Sequence, residues 1–197
     1  HRKCWQRVLE GTDEYAAKFE DDVIFSEYAI HYLGTTDWIP KNADIVKLEV
    51  MTHKLVVDKK PTKEFYNRII TRFYSTNIGA AGYIISKTAA RALLEMTEHF
   101  FIPVDHVMFG HLFPYFWKLI CYQVIPAICI QDKELNNKEN IFKSTLSERD
   151  QKINTKKIGI CIKIKREFIR LFYQIKMGLY RKKKIFNTFN EKERLKI

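Results

Sequence analysis

Residues 78–94 read Ile78-Gly79-Ala80-Ala81-Gly82-Tyr83-Ile84-Ile85-Ser86-Lys87-Thr88-Ala89-Ala90-Arg91-Ala92-Leu93-Leu94, and their character changes in the middle. The first half is small, then β-branched and aromatic, the composition of a strand. Gly79 and Gly82 near its start suggest that another chain segment passes close by. Ser86 then stands where a helix N-cap belongs. From Lys87 to His99, Ala90, Leu93, Leu94 and Thr97 recur at helical spacing. A strand that runs directly into a capped helix points to an α/β fold.

The flanking sequence carries the same alternation. Upstream, Trp5, Val8 and Leu9 share one helical face within 3–10, and Gly11 stops it. Tyr15 to Phe19 reads as a short strand running into Glu20-Asp21-Asp22 and then Val23-Ile24-Phe25. Residues 26–43 read as a helix fragment plus loop. Asp44 to Val50 alternates, with Ile45, Val46, Leu48 and Val50 against Asp44, Lys47 and Glu49, a strand signal. Lys54 to Val57 reads as another strand, and Phe65 to Tyr74 is ambiguous. Downstream, Pro103 opens a short helix and Leu119 to Ile125 reads as a strand closed by Pro126. The body is therefore expected over 1–131, a polar linker over 132–155 and a separate tail over 156–197.

Charge separates the tail from the body. The chain of 197 residues has 34 Lys and Arg against 23 Asp and Glu, a net +11. Residues 156–197 hold 14 of the basic residues and three acids, so the body is neutral. A uniformly basic nucleic-acid-binding domain does not fit that distribution, and no specific nucleic acid is expected as a partner. In the tail, Ile164, Phe168, Leu171, Phe172, Ile175 and Leu179 fall on one helical face. Arg166, Arg170, Arg181, Lys182, Lys183 and Lys184 supply the other side. A basic amphipathic helix suits an anionic membrane surface. It equally suits a helix packed on the body with a solvated basic end. No apolar run is long enough to cross a bilayer as a helix. The four cysteines show no metal-ligand spacing; Cys121 and Cys129, in an apolar run, read as buried thiols, and a reducing compartment is the simpler reading.

Glu20-Asp21-Asp22 is the sharpest chemical signal. Three adjacent acids repel one another. At a strand end Glu20 and Asp22 share a face, and both can meet one hard cation. Such oxygen ligands suit Mg²⁺ or Mn²⁺, with diphosphate and water filling the remaining positions. The same acids also suit an acidic turn or a helix start. Asp105 and His106 stand side by side at a helix N-terminus. Asp105 could be a general base or accept a sugar hydroxyl, or simply be an acid favoured by the helix dipole.

Taken in order, these segments resemble glycosyltransferase family 25, the bacterial lipooligosaccharide galactosyltransferases and relatives that glycosylate collagen. His1 to Trp5 resembles the family's "SHxxxW", and Glu20 to Val23 its "LEDDV". Gly79 to Ser86, with Ala89-Ala90 and Leu93-Leu94, is similar to "GxxGYxISxxxAxxLL". Pro103 to Met108 resembles "PxDxxM", and Val124 to Gln131 the closing "vxPxxxxQ". The resemblance covers 1–131 and implies a GT-A-like fold. It implies that Glu20 and Asp22 bind Mn²⁺ or Mg²⁺, and that Glu20, Asp21, Asp22, Gly79, Gly82, Tyr83, His106 and Gln131 face a UDP-sugar donor. Asp105 would be the base of an inverting transfer, from UDP-galactose to a lipooligosaccharide core acceptor. The enzyme would sit in the cytoplasm, peripheral on the inner face of a bacterial inner membrane. The family has an N-terminal region before the point matching His1, with the first strand and part of the nucleotide pocket, so an N-terminally truncated chain is expected. Lys18 departs from the family, which is usually apolar there. From a different class, a non-catalytic protein binding anionic surfaces through its basic tail would also account for the charge distribution.

Overall fold

The computed structural model describes residues 1–99, 102–136 and 182–195. Ten strands and five α-helices are described: α1 (Arg2–Glu10), β1 (Tyr15–Phe19), β2 (Val23–Phe25), α2 (Ala29–Leu33), β3 (Ile45–Lys47), β4 (Lys54–Asp58), β5 (Lys63–Phe65), β6 (Arg68–Arg72), β7 (Gly82–Ser86), α3 (Lys87–Met96), α4 (Val104–Phe109), β8 (Cys121–Ile125), β9 (Cys129–Gln131), α5 (Asp132–Asn136) and β10 (Lys182–Phe186). Six strands form one mixed sheet in the order β1-β7-β3-β8-β6-β5. Its one parallel pair is β3 with β8. The expected α/β class is observed.

The strand-to-helix switch at Ser86 forms as its sequence dictates. Ser86 is extended, and its hydroxyl accepts the Ala89 amide at 3.1 Å, satisfying one of the unpaired N–H groups of the first turn. Ala89, Ala90 and Leu93 bury one face of α3. α1 packs beside it through Trp5, which is fully buried. Gly82 meets Phe19 in the β1–β7 register. A Cβ on Gly82 would stand 2.6 Å from Cys129 Sγ, the close passage expected of this glycine.

Side chains of both sheet faces are buried. Ile45, Ile85 and Cys121 face the layer of α1, α3 and α4. Val46, Ile84 and Tyr122 face Tyr32, Trp38 and Ile128. Cys121 and Cys129 are buried, and burial pushes the Cys121 thiol up to about 12. Cys4 is exposed. Alkylation of the native protein at pH 8, read by peptide mapping, is therefore expected to modify Cys4 and spare Cys121 and Cys129, since only a thiolate reacts. Equal labelling of Cys121 would mean that the sheet opens.

The ambiguous 65–74 stretch is a hairpin. Tyr66 (φ 41°) and Asn67 (φ 57°) form its two-residue turn between β5 and β6. Two positive φ values match the twist of a hairpin, but a tyrosine there gives no turn signal. Another difference lies at the C-terminus. The expected helical tail does not extend through 182–186, which form strand β10 antiparallel to β4. Lys182 is nearly buried, bonded to Asp58 and set 3.3 Å from the Tyr74 ring centroid. Its ammonium is thus paired within the body. Lys183 and Lys184 lie on the same strand, and Lys184 is exposed. Arg166, Arg170 and Arg181 lie outside the described residues.

After β10 the chain straps the body. Asn187 N–H bonds to His53 O at 2.7 Å, and Thr188 O accepts Ala127 N–H at 2.8 Å. Glu193 O accepts Glu27 N–H at 2.7 Å, and Leu195 N–H reaches Phe25 O at 2.9 Å. No helix among the described residues is long and apolar enough to cross a membrane.

Candidate functional site

The acidic turn joins β1 to β2 at one edge of the sheet. Glu20, Asp21 and Asp22 lie in the turn itself rather than on a strand, and the structure brings Gln131 from β9 to both Glu20 and Asp22. The Gln131 amide Nε2 donates to Glu20 Oε2 at 3.0 Å and to Asp22 Oδ1 and Oδ2 at 3.1 and 3.2 Å. The β2–β9 pairing fixes this meeting, with Val23 opposite Gln131. Asp22 O also accepts Asp132 N–H at 2.9 Å. Asp21 and Asp22 are exposed, and Glu20 is half-buried.

Glu20 is braced from the other side. Its amide donates to Ala81 O at 2.8 Å. Lys18 Nζ lies 3.2 Å from Glu20 Oε1 and 2.9 Å from Ala80 O. The lysine that departs from the resembled pattern is thus tied to the acidic turn. Beside it, an open groove of about 480 Å³ runs between α1 and β1, lined by Arg7, Val8, Tyr15 and Phe19.

Gly79 and Asp105 meet. Gly79 has φ +101°, a conformation that favours glycine, and its amide donates to Asp105 Oδ2 at 3.3 Å. Asp105 Oδ1 accepts the His106 amide at 3.0 Å. Asp105 therefore links the start of α4 to the glycine segment. The His106 ring packs edge-on to Phe113. Tyr83 is fully buried. Its hydroxyl accepts Trp5 Nε1–H at 2.9 Å and lies 3.1 Å from His1 Nδ1, so this side chain braces α1 from within the core. Burial pushes its phenol up.

Two groups in this neighbourhood were not singled out by the sequence. Lys47, at the end of β3, and Glu49, just beyond it, are polar positions of the 44–50 alternation and both are fully buried. An inner strand covered on both faces gives no solvent side to its polar residues. Lys47 Nζ donates to Asn77 O, Asn77 Oδ1 and Ile78 O at 2.7, 3.2 and 2.9 Å. Burial pushes the Lys47 ammonium down from its ordinary range, and the Glu49 carboxylate beside it pulls it back up. Glu49 Oε1, 3.8 Å away, accepts Ala81 N–H at 2.7 Å. Burial pushes the Glu49 carboxyl up; Lys47 and the Ala81 and Gly82 amides pull it back. The signal that could have found them is a lysine and a glutamate two apart on a strand, which puts opposite charges on one face.

No group of three or more His, Cys, Asp or Glu among the described residues is arranged to hold a metal ion. The acidic turn offers two carboxylates aimed at one point, the point now taken by the Gln131 amide. That donor set fits a hard divalent cation that takes its other oxygens from a diphosphate and water.

Comparison with known proteins gives the context. Residues 1–108 match the family model described as glycosyltransferase family 25 (LPS biosynthesis protein). The lipooligosaccharide biosynthesis protein lex-1 of Haemophilus influenzae is 31% identical over 100% of this chain and 66% of its own length. The lipooligosaccharide biosynthesis protein lic2B of the same species is 30% identical over 80% of this chain and 61% of its own. The lacto-N-neotetraose biosynthesis glycosyltransferase LgtB of Neisseria gonorrhoeae is 30% identical over 79% of this chain and 60% of its own. The chain thus spans between three fifths and two thirds of the length of these relatives.

Proposed function

The chain belongs to glycosyltransferase family 25, and from that premise we propose that its acidic turn binds the diphosphate of a sugar nucleotide. The reaction is transfer of a hexose, galactose from UDP-galactose, to a lipooligosaccharide core acceptor with inversion, on a GT-A-like frame. The observation that carries this reading is the convergence of Glu20 and Asp22 on one point, held by Gln131. Glu20 and Asp22 would hold Mn²⁺ or Mg²⁺. Such a cation, when bound, stabilises the charge that grows on a departing diphosphate.

The other residues have supporting tasks. Lys18 and Ala81 fix Glu20, so that its carboxylate costs little ordering when the donor arrives. Gly79 and Gly82 let the donor-facing segment lie close against Glu49 and Cys129 beneath it. An inverting transfer needs one base for the acceptor hydroxyl, and Asp105, beside Gly79, is assigned that task. The site works beside an anionic membrane surface, on the inner face of a bacterial inner membrane, with the charge supplied by the basic 156–197 stretch.

The test is calorimetric titration of UDP-galactose into the chain with and without Mn²⁺, beside Asp22→Ala. Asp22 is exposed, so alanine there leaves the fold intact. Binding is expected to need the cation. The Asp22→Ala variant is expected to bind at least tenfold more weakly, the loss of about 1.5–3 kcal/mol that accompanies a charge-assisted contact. Unchanged affinity in that variant would overturn the metal assignment.

A further inference from the structure

The donor reading gives no task to two buried charges, Lys47 at the end of β3 and Glu49 just beyond it. Lys47 and Glu49 spend their hydrogen bonds on one stretch of backbone, residues 77–81. Lys47 holds Asn77 and Ile78 by their carbonyl oxygens. Glu49 holds the Ala81 amide. Asp105 holds the Gly79 amide. The stretch then hands its placement to the acidic turn: Ala81 O takes the Glu20 amide, and Ala80 O takes the Lys18 ammonium that also reaches Glu20.

We infer that Lys47 and Glu49 are positioning residues for the sugar-nucleotide site, setting where the 77–81 backbone lies and, through it, where the Glu20 carboxylate points. This rests on the donor reading of the acidic turn. The pair suits the task because it is rigid. Both side chains are fully buried, and Lys47 is further packed 4.8 Å from the Phe109 ring centroid. Apolar residues at 47 and 49 would leave the Ala81 amide and the Asn77 and Ile78 carbonyls to find new partners under the sheet. The fit to the segment above is close: a Cβ on Gly79 would stand 3.1 and 3.2 Å from the two Glu49 carboxylate oxygens. Glu49 Oε2 itself takes no hydrogen bond among the described residues. The carboxylate is therefore held chiefly by the Ala81 amide and the lysine, and its length sets the spacing between β3 and the segment.

Glu49→Asp in the full chain tests this. Aspartate keeps the charge that Lys47 requires but withdraws the carboxylate by one methylene. Two readouts are taken: amide hydrogen exchange at Ala81 and Glu20, and the Kd for UDP in the presence of Mn²⁺. Exchange at both amides is expected to quicken about tenfold or more while the β3–β8 ladder stays protected, and the Kd to rise about tenfold. Unchanged exchange overturns the positioning role. Faster exchange with an unchanged Kd overturns its link to the site. Should Glu49→Asp fail to fold, the charge-free pair Lys47→Met with Glu49→Gln is read in the same two ways. If the parent chain itself fails to bind UDP with Mn²⁺, the donor reading falls, and the exchange arm alone decides whether the pair places Glu20.

Discussion

Replacing Glu193 by alanine is expected to lower the melting temperature by about 6–12 °C, from a loss of about 3 kcal/mol at about 2–4 °C per kcal/mol for a chain of this size. The reason lies in its partner. Arg68 is 3% exposed. Its guanidinium reaches Pro126 O at 3.1 Å and Ser26 Oγ at 3.3 Å, and is paired with Glu193. It also lies over the rings of Tyr28 and Tyr32, 5.0 and 6.0 Å from their centroids. Without Glu193 the arginine keeps two neutral acceptors but loses its counter-ion, and breaking a buried pair by removing one member costs about 3–5 kcal/mol. Glu193 keeps 23% of its side-chain exposure, so the lower end applies. Arg68→Met combined with Glu193→Ala is expected to lose less than Glu193→Ala alone, because no charge is then stranded. Thermal unfolding reads both variants; a shift below about 2 °C for Glu193→Ala would remove the ion pair as the anchor of the C-terminal strap.

Gly82→Ala is the second large effect, through excess volume. The new Cβ would stand 2.6 Å from Cys129 Sγ and 3.2 Å from Phe19 Cδ1. Cys129 is fully buried on β9, so its sulfur has nowhere to withdraw. Overpacking of this kind costs about 1–3 kcal/mol, and the upper end is expected because β1, β7 and β9 meet at this point. Cys129→Ala removes the obstructing atom. In the double variant the two losses are expected to be less than additive by about 1 kcal/mol or more. Additive losses in chemical denaturation would mean that the glycine is needed for some other reason. Strain here also reaches the site, since β9 carries Gln131 and β1 ends at Glu20.

The elements that were legible from sequence are those where local chemistry and tertiary context agree. Ser86 caps α3 in the expected place, and Tyr15 to Phe19 is the expected strand. Gln131 and the acidic turn, 109 residues apart or more, were paired only through the order of motifs; the structure places them within hydrogen-bond reach. Alternation on β3 identified the strand but not its setting, because period two fixes which residues share a face and not what covers it. Lys47 and Glu49 were hidden for that reason. Tyr66 concealed a hairpin turn, since its left-handed backbone is imposed by strand pairing rather than by its own preference. Lys182 to Lys184 carried a helical expectation from their basic neighbours, but β4 supplied an open edge, and a non-local pairing leaves no trace in a local pattern.

The strap also decides how the molecule is held together as an object. Residues 182–195 are held on the body by pairing with segments far away in sequence, not by their neighbours along the chain. This segment is sewn to β4, to Ala127, to Phe25 and to Arg68. The segments 1–136 and 182–195 are thus clasped to each other by a strand pairing and a buried ion pair, and separating them would expose both.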